Sequence, residues 1–167
     1  MKQKVLLTGP PRCGKSTLIR KIIQRIGKPM TGFFTSEIRE KGQRVGFSIE
    51  TLHGKKGILA HINNKGPIKV GRYGVNIEDI NRIAVPSMVC SRPYEIVVID
   101  EIGKMECLSR LFKKTLLDVL DSDNPVIGSI ALKGGPFIQK IKERTDVELI
   151  QVSEKNRNTL PDLFLSE

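Results

Sequence analysis

Eight residues near the N-terminus constrain what this chain can fold into more than any other feature. They match the phosphate-binding pattern G-x-x-x-x-G-K-[ST] and are Gly9, Pro10, Pro11, Arg12, Cys13, Gly14, Lys15 and Ser16. The apolar segment before them predicts a buried strand over Lys4–Thr8, and the leucine and isoleucine spacing after them predicts a helix over Lys15–Ile26. A loop that leaves a strand and opens a helix presents backbone N–H groups to phosphate, so the pattern predicts a nucleotide site in an α/β fold.

The interior of the loop determines which backbone groups can bind phosphate. Pro10 and Pro11 have no N–H, so the amides are expected to come from residues 12–17. Cys13 has two interpretations. It is either a small residue that fills the loop or a reactive thiol at a helix N-terminus that makes the site sensitive to oxidants.

Three residues at the start of the helix have separate expected roles. Lys15 is expected to reach the β- and γ-phosphates and to act in catalysis. The Ser16 hydroxyl is expected to bind Mg²⁺, the predicted cofactor, and Thr17 is expected to contact the α-phosphate.

A pair of acidic residues follows a second apolar strand. Residues 96–99 are Ile-Val-Val-Ile, and Asp100 and Glu101 come directly after them. On a strand next to the loop strand, Asp100 would hold Mg²⁺ through its waters. Glu101, one residue past the strand, would activate or position an attacking water. The pair therefore favours hydrolysis over transfer to another acceptor.

Strand and helix patterns alternate along the chain without a linker or repeat, which is typical of a parallel sheet with helices on both faces. Residues 32–39 and 44–52 predict an antiparallel hairpin. With a third strand over 58–62, it forms an extension of about residues 30–62. Other predicted elements are a helix over 77–83 capped by Asn76, strands over 95–100, 126–131 and 147–152, and helices over 108–120, 136–144 and 160–165. Residues 1–167 are predicted to form a single domain.

Composition narrows the classes of protein. There are 28 Lys and Arg against 18 Asp and Glu, a net charge of +10, which attracts polyanions. The three cysteines form no C-x-x-C pair, which argues against a zinc site or a disulfide framework and favours a cytoplasmic protein. No apolar run approaches the roughly 20 residues that a membrane span needs, so no membrane partner is expected.

Several motifs together resemble the THEP-type nucleoside-triphosphatases, a family of small P-loop enzymes. The acidic motif is Asp100-Glu101-Ile102-Gly103-Lys104-Met105-Glu106, and residues 9–11, 32–39, 44–47, 71–75 and 154–158 resemble the family pattern in the same order. The resemblance implies a RecA-like core, three layers deep with a mostly parallel sheet and an added antiparallel hairpin. It also implies Mg²⁺-dependent hydrolysis of ribonucleoside triphosphates, tolerant of the base, to the diphosphate and phosphate.

The resemblance also implies which residues contact the nucleotide. Besides the loop, these are Val97, Val98, Ile99, Asp100, Glu101, Ile102, Gly103 and Lys104. Arg12 departs from the family, where glycine is common, and the link over residues 87–94 is short beside relatives.

A further cation is expected near the transferring phosphoryl group, because charge spreads over its oxygens in the transition state. The candidates are Arg39, Arg44, Arg72, Lys104 and Arg157. Lys104 is favoured as a catalytic residue by its place in the acidic motif, and the alternative is an ion pair with Glu101 or Glu106. Arg157 is a candidate to stack on the base, and the alternative is a role for Asn156 and Arg157 in capping the last helix.

The leading interpretation is a nucleoside-triphosphatase that acts on ATP, GTP, CTP and UTP as a monomer. One alternative is a nucleotide or small-molecule kinase with a hydroxyl acceptor in place of water. Another is a nucleic-acid-stimulated ATPase, which is not favoured because no RNA- or DNA-recognition motif is present.

Overall fold

The sheet at the centre of the molecule is built from strands whose apolar residues face helices on both sides. In residues 4–163, the part of the chain that the computed structural model describes, nine strands form this sheet. They are β1 (Lys4–Thr8), β2 (Met30–Glu40), β3 (Gln43–Thr51), β4 (Lys56–His61), β5 (Lys69–Val70), β6 (Tyr73–Val75), β7 (Ile96–Ile102), β8 (Val126–Ile130) and β9 (Glu148–Gln151). The helices are α1 (Lys15–Ile26), α2 (Ile77–Asp79), α3 (Val85–Ser87), α4 (Arg110–Asp121), α5 (Pro136–Lys142) and α6 (Leu160–Leu163).

Five neighbouring strands form a parallel core in the order β2-β7-β8-β1-β9. Four antiparallel strands, in the order β5-β6-β4-β3, extend the sheet beyond β2. β2 belongs to both parts, since residues 30–33 pair with β7 and residues 33–40 pair with β3. The antiparallel extension therefore grows out of a core strand and reaches Val75, beyond the predicted limit at residue 62.

Two apolar clusters cover the two faces of the sheet, which confirms the predicted three-layer α/β fold. Leu18, Ile19 and Ile22 of α1 pack on one face together with Leu160 of α6. The other face packs against α4, α5 and the π-helical segment Ile80–Ala84 that joins α2 to α3. In β7, Ile96 and Val98 belong to the first cluster and Val97 and Ile99 to the second. A strand buried on both faces has a continuous apolar sequence, as this one does.

Two expectations for the strand that carries the acidic pair were wrong. β7 continues to Ile102, so Glu101 lies within the strand and not after it. β7 is also not adjacent to β1, because β8 lies between them. All three strands are parallel, so their carboxyl ends still meet at one edge of the sheet, where ligands bind in open α/β folds.

Helix ends follow the predicted signals. α1 has the predicted bounds and ends at Gly27, whose φ of 61° is the left-handed conformation that glycine adopts easily. Asn76 caps α2, because its Oδ1 accepts a hydrogen bond of 3.0 Å from the Asp79 N–H.

Among the described residues, no helix combines the length and apolar character needed to cross a bilayer.

Candidate active site

The phosphate loop connects β1 to α1 and depends on two glycines. Gly9 has a φ of 157°, and a Cβ there would lie 2.9 Å from both the Cys13 Sγ and the Val152 carbonyl oxygen. Gly14 has a φ of 93° and precedes the first residue of α1. Arg12 is also left-handed, with a φ of 62°, which strains a residue that has a Cβ. That conformation gives a physical reason for the glycine expected at this position in relatives.

Lys15 is folded back over the loop. Its Nζ donates hydrogen bonds to the carbonyl oxygens of Gly9, at 3.0 Å, and Pro10, at 3.1 Å. The same nitrogen lies 3.7 Å from the Sγ of Cys13, which is 9% exposed beneath the loop. This burial agrees with Cys13 as a small residue that fills the loop.

Asp100 is held at the end of the core by hydrogen bonds from two neighbouring strands. Its Oδ2 accepts from the N–H and the hydroxyl of Thr35 on β2, at 3.1 and 3.3 Å. Ser129 of β8 donates a hydrogen bond to the Asp100 carbonyl oxygen, and Ser16 at the start of α1 is close enough to lower the pKa of the carboxyl group. The side chain is buried, and its Oδ1 has no partner among the described residues. Burial raises the pKa of Asp100, and Ser16 and Thr35 oppose that rise.

Glu101 lies beside Asp100 where the pairing of β7 with β8 is irregular, between Ile99 and Ile102. Irregularities of this kind re-aim side chains next to active sites. Glu101 is exposed to the adjacent cavity. Desolvation by the surrounding protein, and then the charge of Asp100, raise the pKa of Glu101, whereas Lys15 lowers it.

Glu106 is a third acid at the site, and sequence reasoning treated it only as an ion-pair partner for Lys104. It begins the 3₁₀ turn Glu106–Leu108, is 2% exposed and lines the cavity. Burial, and then the nearby Glu101, raise the pKa of Glu106 to about 8. Among residues 4–163 it makes no ion pair with Lys104, whose side chain is exposed at the cavity. Three acids within seven residues were the signal that could have identified it.

A cavity of about 460 Å³ joins the loop to the antiparallel extension. Its loop side includes Lys15, Ser16 and Thr17, and its floor includes Glu101 and Glu106. The extension contributes Thr35, Ser36, Glu37, Arg44, Phe47, Leu59 and Val70. Ligand sites commonly have this size and mixture of apolar and polar lining.

The strand residues expected to touch the nucleotide do not reach the cavity. Val97, Val98, Ile99 and Ile102 are fully buried, and their backbones pair within the sheet. The structure therefore places these four residues in the core and not at the wall of the cavity. Their role is to hold Asp100 and Glu101 at the end of the core.

The candidate cations are distributed unevenly. Arg44 and Lys104 line the cavity, whereas Arg39, Arg72 and Arg157 do not. Arg39 and Arg44 both bind Glu37, at 2.9 and 3.2 Å, and lower its pKa, with Arg39 the larger influence.

The turn after β9 holds the remaining predicted residues. Arg157 is exposed there, and its N–H donates to the Ser153 carbonyl at 3.0 Å. The side-chain oxygen of Asn156 accepts a hydrogen bond from the Ser153 N–H at 2.8 Å. The backbone carbonyl oxygen of Asn156 accepts one from the Leu160 N–H at 3.0 Å, at the start of α6. Asn156 is therefore a structural residue of this turn and of the following helix.

Comparison with known proteins places this geometry in a family. A family model described as NTPase matches residues 4–165. The nucleoside-triphosphatase THEP1 of Thermotoga sp. (strain RQ2) is 44% identical over 164 residues, which cover 98% of this chain and 94% of the relative. The chain belongs to the THEP1 nucleoside-triphosphatase family. The human cancer-related nucleoside-triphosphatase is 38% identical over 181 aligned positions, which cover 98% of this chain and 95% of the human protein.

Solved structures of family members have the same fold. The crystal structure of THEP1 from Aquifex aeolicus has a TM-score of 0.88 with 33% identity and covers 98% of this chain and 97% of its own. The solution structure of the human nucleoside triphosphatase has a TM-score of 0.82 with 35% identity, over 98% and 96% of the two chains. The RecA-like core implied by the resemblance is therefore confirmed.

Proposed function

We propose that this chain is a Mg²⁺-dependent nucleoside-triphosphatase that transfers the γ-phosphoryl group of ATP, GTP, CTP or UTP to water. The observation that carries the proposal is the convergence of Lys15, Glu101 and the Ser16–Asp100 pair at one end of the parallel core. The names of the relatives support the hydrolytic activity.

Ser16 and Asp100 are the residues that would hold the metal. The Oδ1 of Asp100 is buried and has no hydrogen-bond partner within residues 4–163, and Ser16 is close enough to influence the pKa of the same carboxyl group. Oxygen ligands of this kind suit Mg²⁺, which proteins bind through one or two carboxylates and the substrate phosphates. When bound, the ion neutralises charge on the β- and γ-phosphates.

Lys15 and the loop amides position the triphosphate. The Nζ of Lys15 now contacts two loop carbonyls and can exchange these contacts for phosphate oxygens. The backbone N–H groups of residues 12–17 lie at the N-terminus of α1, where anions are stabilised. Lys104, exposed at the same cavity, supplies a second positive charge toward the transferring group.

Glu101 accepts the proton of the attacking water. It is exposed to the cavity, and its raised pKa makes it a stronger base than an ordinary surface carboxylate. Removal of the charge should lower turnover by roughly 10²-fold or more without weakening nucleotide binding. Glu101→Gln keeps the size and the hydrogen-bonding capacity of the side chain, so it tests the base specifically.

The deciding experiment measures phosphate release from the four triphosphates, with Mg²⁺ or with EDTA, for the wild type and Glu101→Gln. Release from all four that needs Mg²⁺ and is lost in the variant would support the proposal. Unchanged turnover in Glu101→Gln would remove it as the base. An arm with RNA separates a self-contained enzyme, which is indifferent to RNA, from an RNA-stimulated one.

A kinase is the second candidate function, because the cavity extends beyond the phosphate loop and the acidic pair. The cavity continues from Glu101 to Arg44, Phe47, Leu59 and Val70 of the extension, which leaves room for an acceptor beside the phosphates. With a hydroxyl acceptor present, a kinase would form more nucleoside diphosphate than free phosphate. Equal amounts of the two products under every condition would exclude it.

A further inference from the structure

The carboxyl groups of Glu101 and Glu106 both lie near the position that a Cβ would occupy at Gly103. A Cβ at Gly103 would lie 2.9 Å from the Oε2 of Glu106 and 3.2 Å from the Oε1 of Glu101. Because Gly103 has no side chain, the carboxyl groups of Glu101 and Glu106 can share the space beside its Cα. Both acids also line the cavity.

The surroundings of the two acids differ. Glu101 is exposed to the cavity, and the positive charge of Lys15 lowers its pKa. Glu106 is 2% exposed, and burial is the main cause of its raised pKa. Within residues 4–163 its Oε1 has no hydrogen-bond partner. Glu106 is the more buried of the two acids and makes no ion pair within residues 4–163, so burial favours a proton on Glu106 and a charge on Glu101.

A buried, protonated carboxyl group has an O–H that requires a hydrogen-bond acceptor. The acceptor that the structure offers is the carboxylate of Glu101. We propose that Glu106 is a positioning residue whose protonated carboxyl group donates a hydrogen bond toward Glu101 across the space at Gly103, directly or through one water, and so orients Glu101 toward the attacking water. This inference rests on the proposed role of Glu101 in hydrolysis, and Glu106 keeps its proton throughout the reaction.

Three variants test the proposal through the Mg²⁺-dependent turnover of ATP. Glu106→Ala removes the donor and should lower kcat by roughly 10- to 100-fold with little change in KM, because a base displaced by about an ångström loses rate and not binding. Glu106→Gln can donate through its amide nitrogen and accept through its oxygen, so it should retain kcat within about threefold of the wild type. Glu95→Gln is the control and should keep the wild-type kcat, since Glu95 is a buried acid at the opposite end of β7 that accepts a hydrogen bond from the Ser91 N–H, away from the cavity.

Gly103→Ala is an independent perturbation that leaves both acids in the chain. Its Cβ would occupy the space between the two carboxyl groups and separate them. We expect a loss of kcat comparable to that of Glu106→Ala, again with a similar KM. This variant also keeps the proposal testable if Glu106→Ala does not fold.

A double-mutant cycle distinguishes positioning of Glu101 from an independent function of Glu106. If Glu106 acts through Glu101, the variant with both Glu101→Gln and Glu106→Ala should be no slower than Glu101→Gln alone. The proposal is overturned if the second substitution lowers kcat further by its full factor, or if folded Glu106→Ala turns over at the wild-type rate. A wild-type protein without turnover would instead refute the proposed function.

Discussion

Thr35 on β2 donates two hydrogen bonds to the same oxygen of Asp100 on β7, from its N–H at 3.1 Å and from its hydroxyl at 3.3 Å. β2 continues into the antiparallel extension, so the extension is tied directly to the proposed magnesium ligand. Removal of a partner that orients a metal ligand in this way typically lowers metal affinity by about 10- to 100-fold.

Thr35→Val should therefore weaken the response to Mg²⁺. The substitution removes the hydroxyl and leaves the backbone hydrogen bond, so we expect the Mg²⁺ concentration for half-maximal turnover to rise by roughly 10-fold. Thr31→Val is the matched control, because the Thr31 hydroxyl on the same strand binds the Ser87 carbonyl at 2.7 Å, away from the site. Equal Mg²⁺ titrations for the two variants would contradict the prediction.

Lys15→Ala should reduce turnover by at least about 10²-fold, because the loop would lose its main cation for the γ-phosphate. Turnover of ATP at saturating Mg²⁺ measures the effect. Lys21→Ala removes an exposed lysine from the same helix and should keep the wild-type rate. Near-normal turnover in Lys15→Ala would contradict the assignment of the phosphate loop.

The pH dependence of stability provides a prediction for Glu106. Its pKa is raised from 4.5 to about 8 in the folded protein. Between these values the unfolded chain releases a proton that the folded chain keeps, so the free energy of unfolding falls as pH rises. The contribution of Glu106 is complete below pH 4.5 and is lost progressively up to about pH 8, at about 1.4 kcal/mol per pH unit.

Urea unfolding of the metal-free protein between pH 5 and 8 would measure this loss. Glu106→Gln cannot ionise, so its stability should fall less steeply with pH than that of the wild type, and the variant should gain most at pH 8. Asp100 and Glu101 also have raised pKa values, so the free energy of unfolding should still fall with pH, to a smaller extent, in Glu106→Gln. Parallel curves for the two proteins would show that Glu106 is already ionised at neutral pH.

Local signals determined how well each element could be predicted. β1 and α1 match their predicted bounds because apolar periodicity, the loop glycines and the Gly27 cap all agree. β5 and β6 were missed because strands of two and three residues carry no periodicity of their own. The pairing of residues 30–33 with β7 is a tertiary contact, which the sequence of β2 alone does not indicate.

The same distinction holds for the site. The loop and the acidic pair were recognised because their chemistry depends on neighbouring residues in the chain. The burial of Glu106 beside Gly103 and Glu101 depends instead on the fold, so the sequence suggested only an ion-pair partner for Lys104. Arg44 reaches the cavity only because β3 folds beside β2, which no local pattern reveals.

Arg157→Ala tests whether the turn after β9 contacts the base. Arg157 is exposed next to Asn156, which is fixed by hydrogen bonds to the Gln151 carbonyl and the Ser153 N–H, both at 2.8 Å. A guanidinium on such a turn can stack on any base, so its loss should raise KM for all four triphosphates by a similar factor and leave kcat unchanged. Lys155→Ala, an exposed neighbour in the same turn, is the control for a general loss of positive charge. A rise confined to one nucleotide would show that Arg157 reads base edges, and no rise in any would remove it from the nucleotide site.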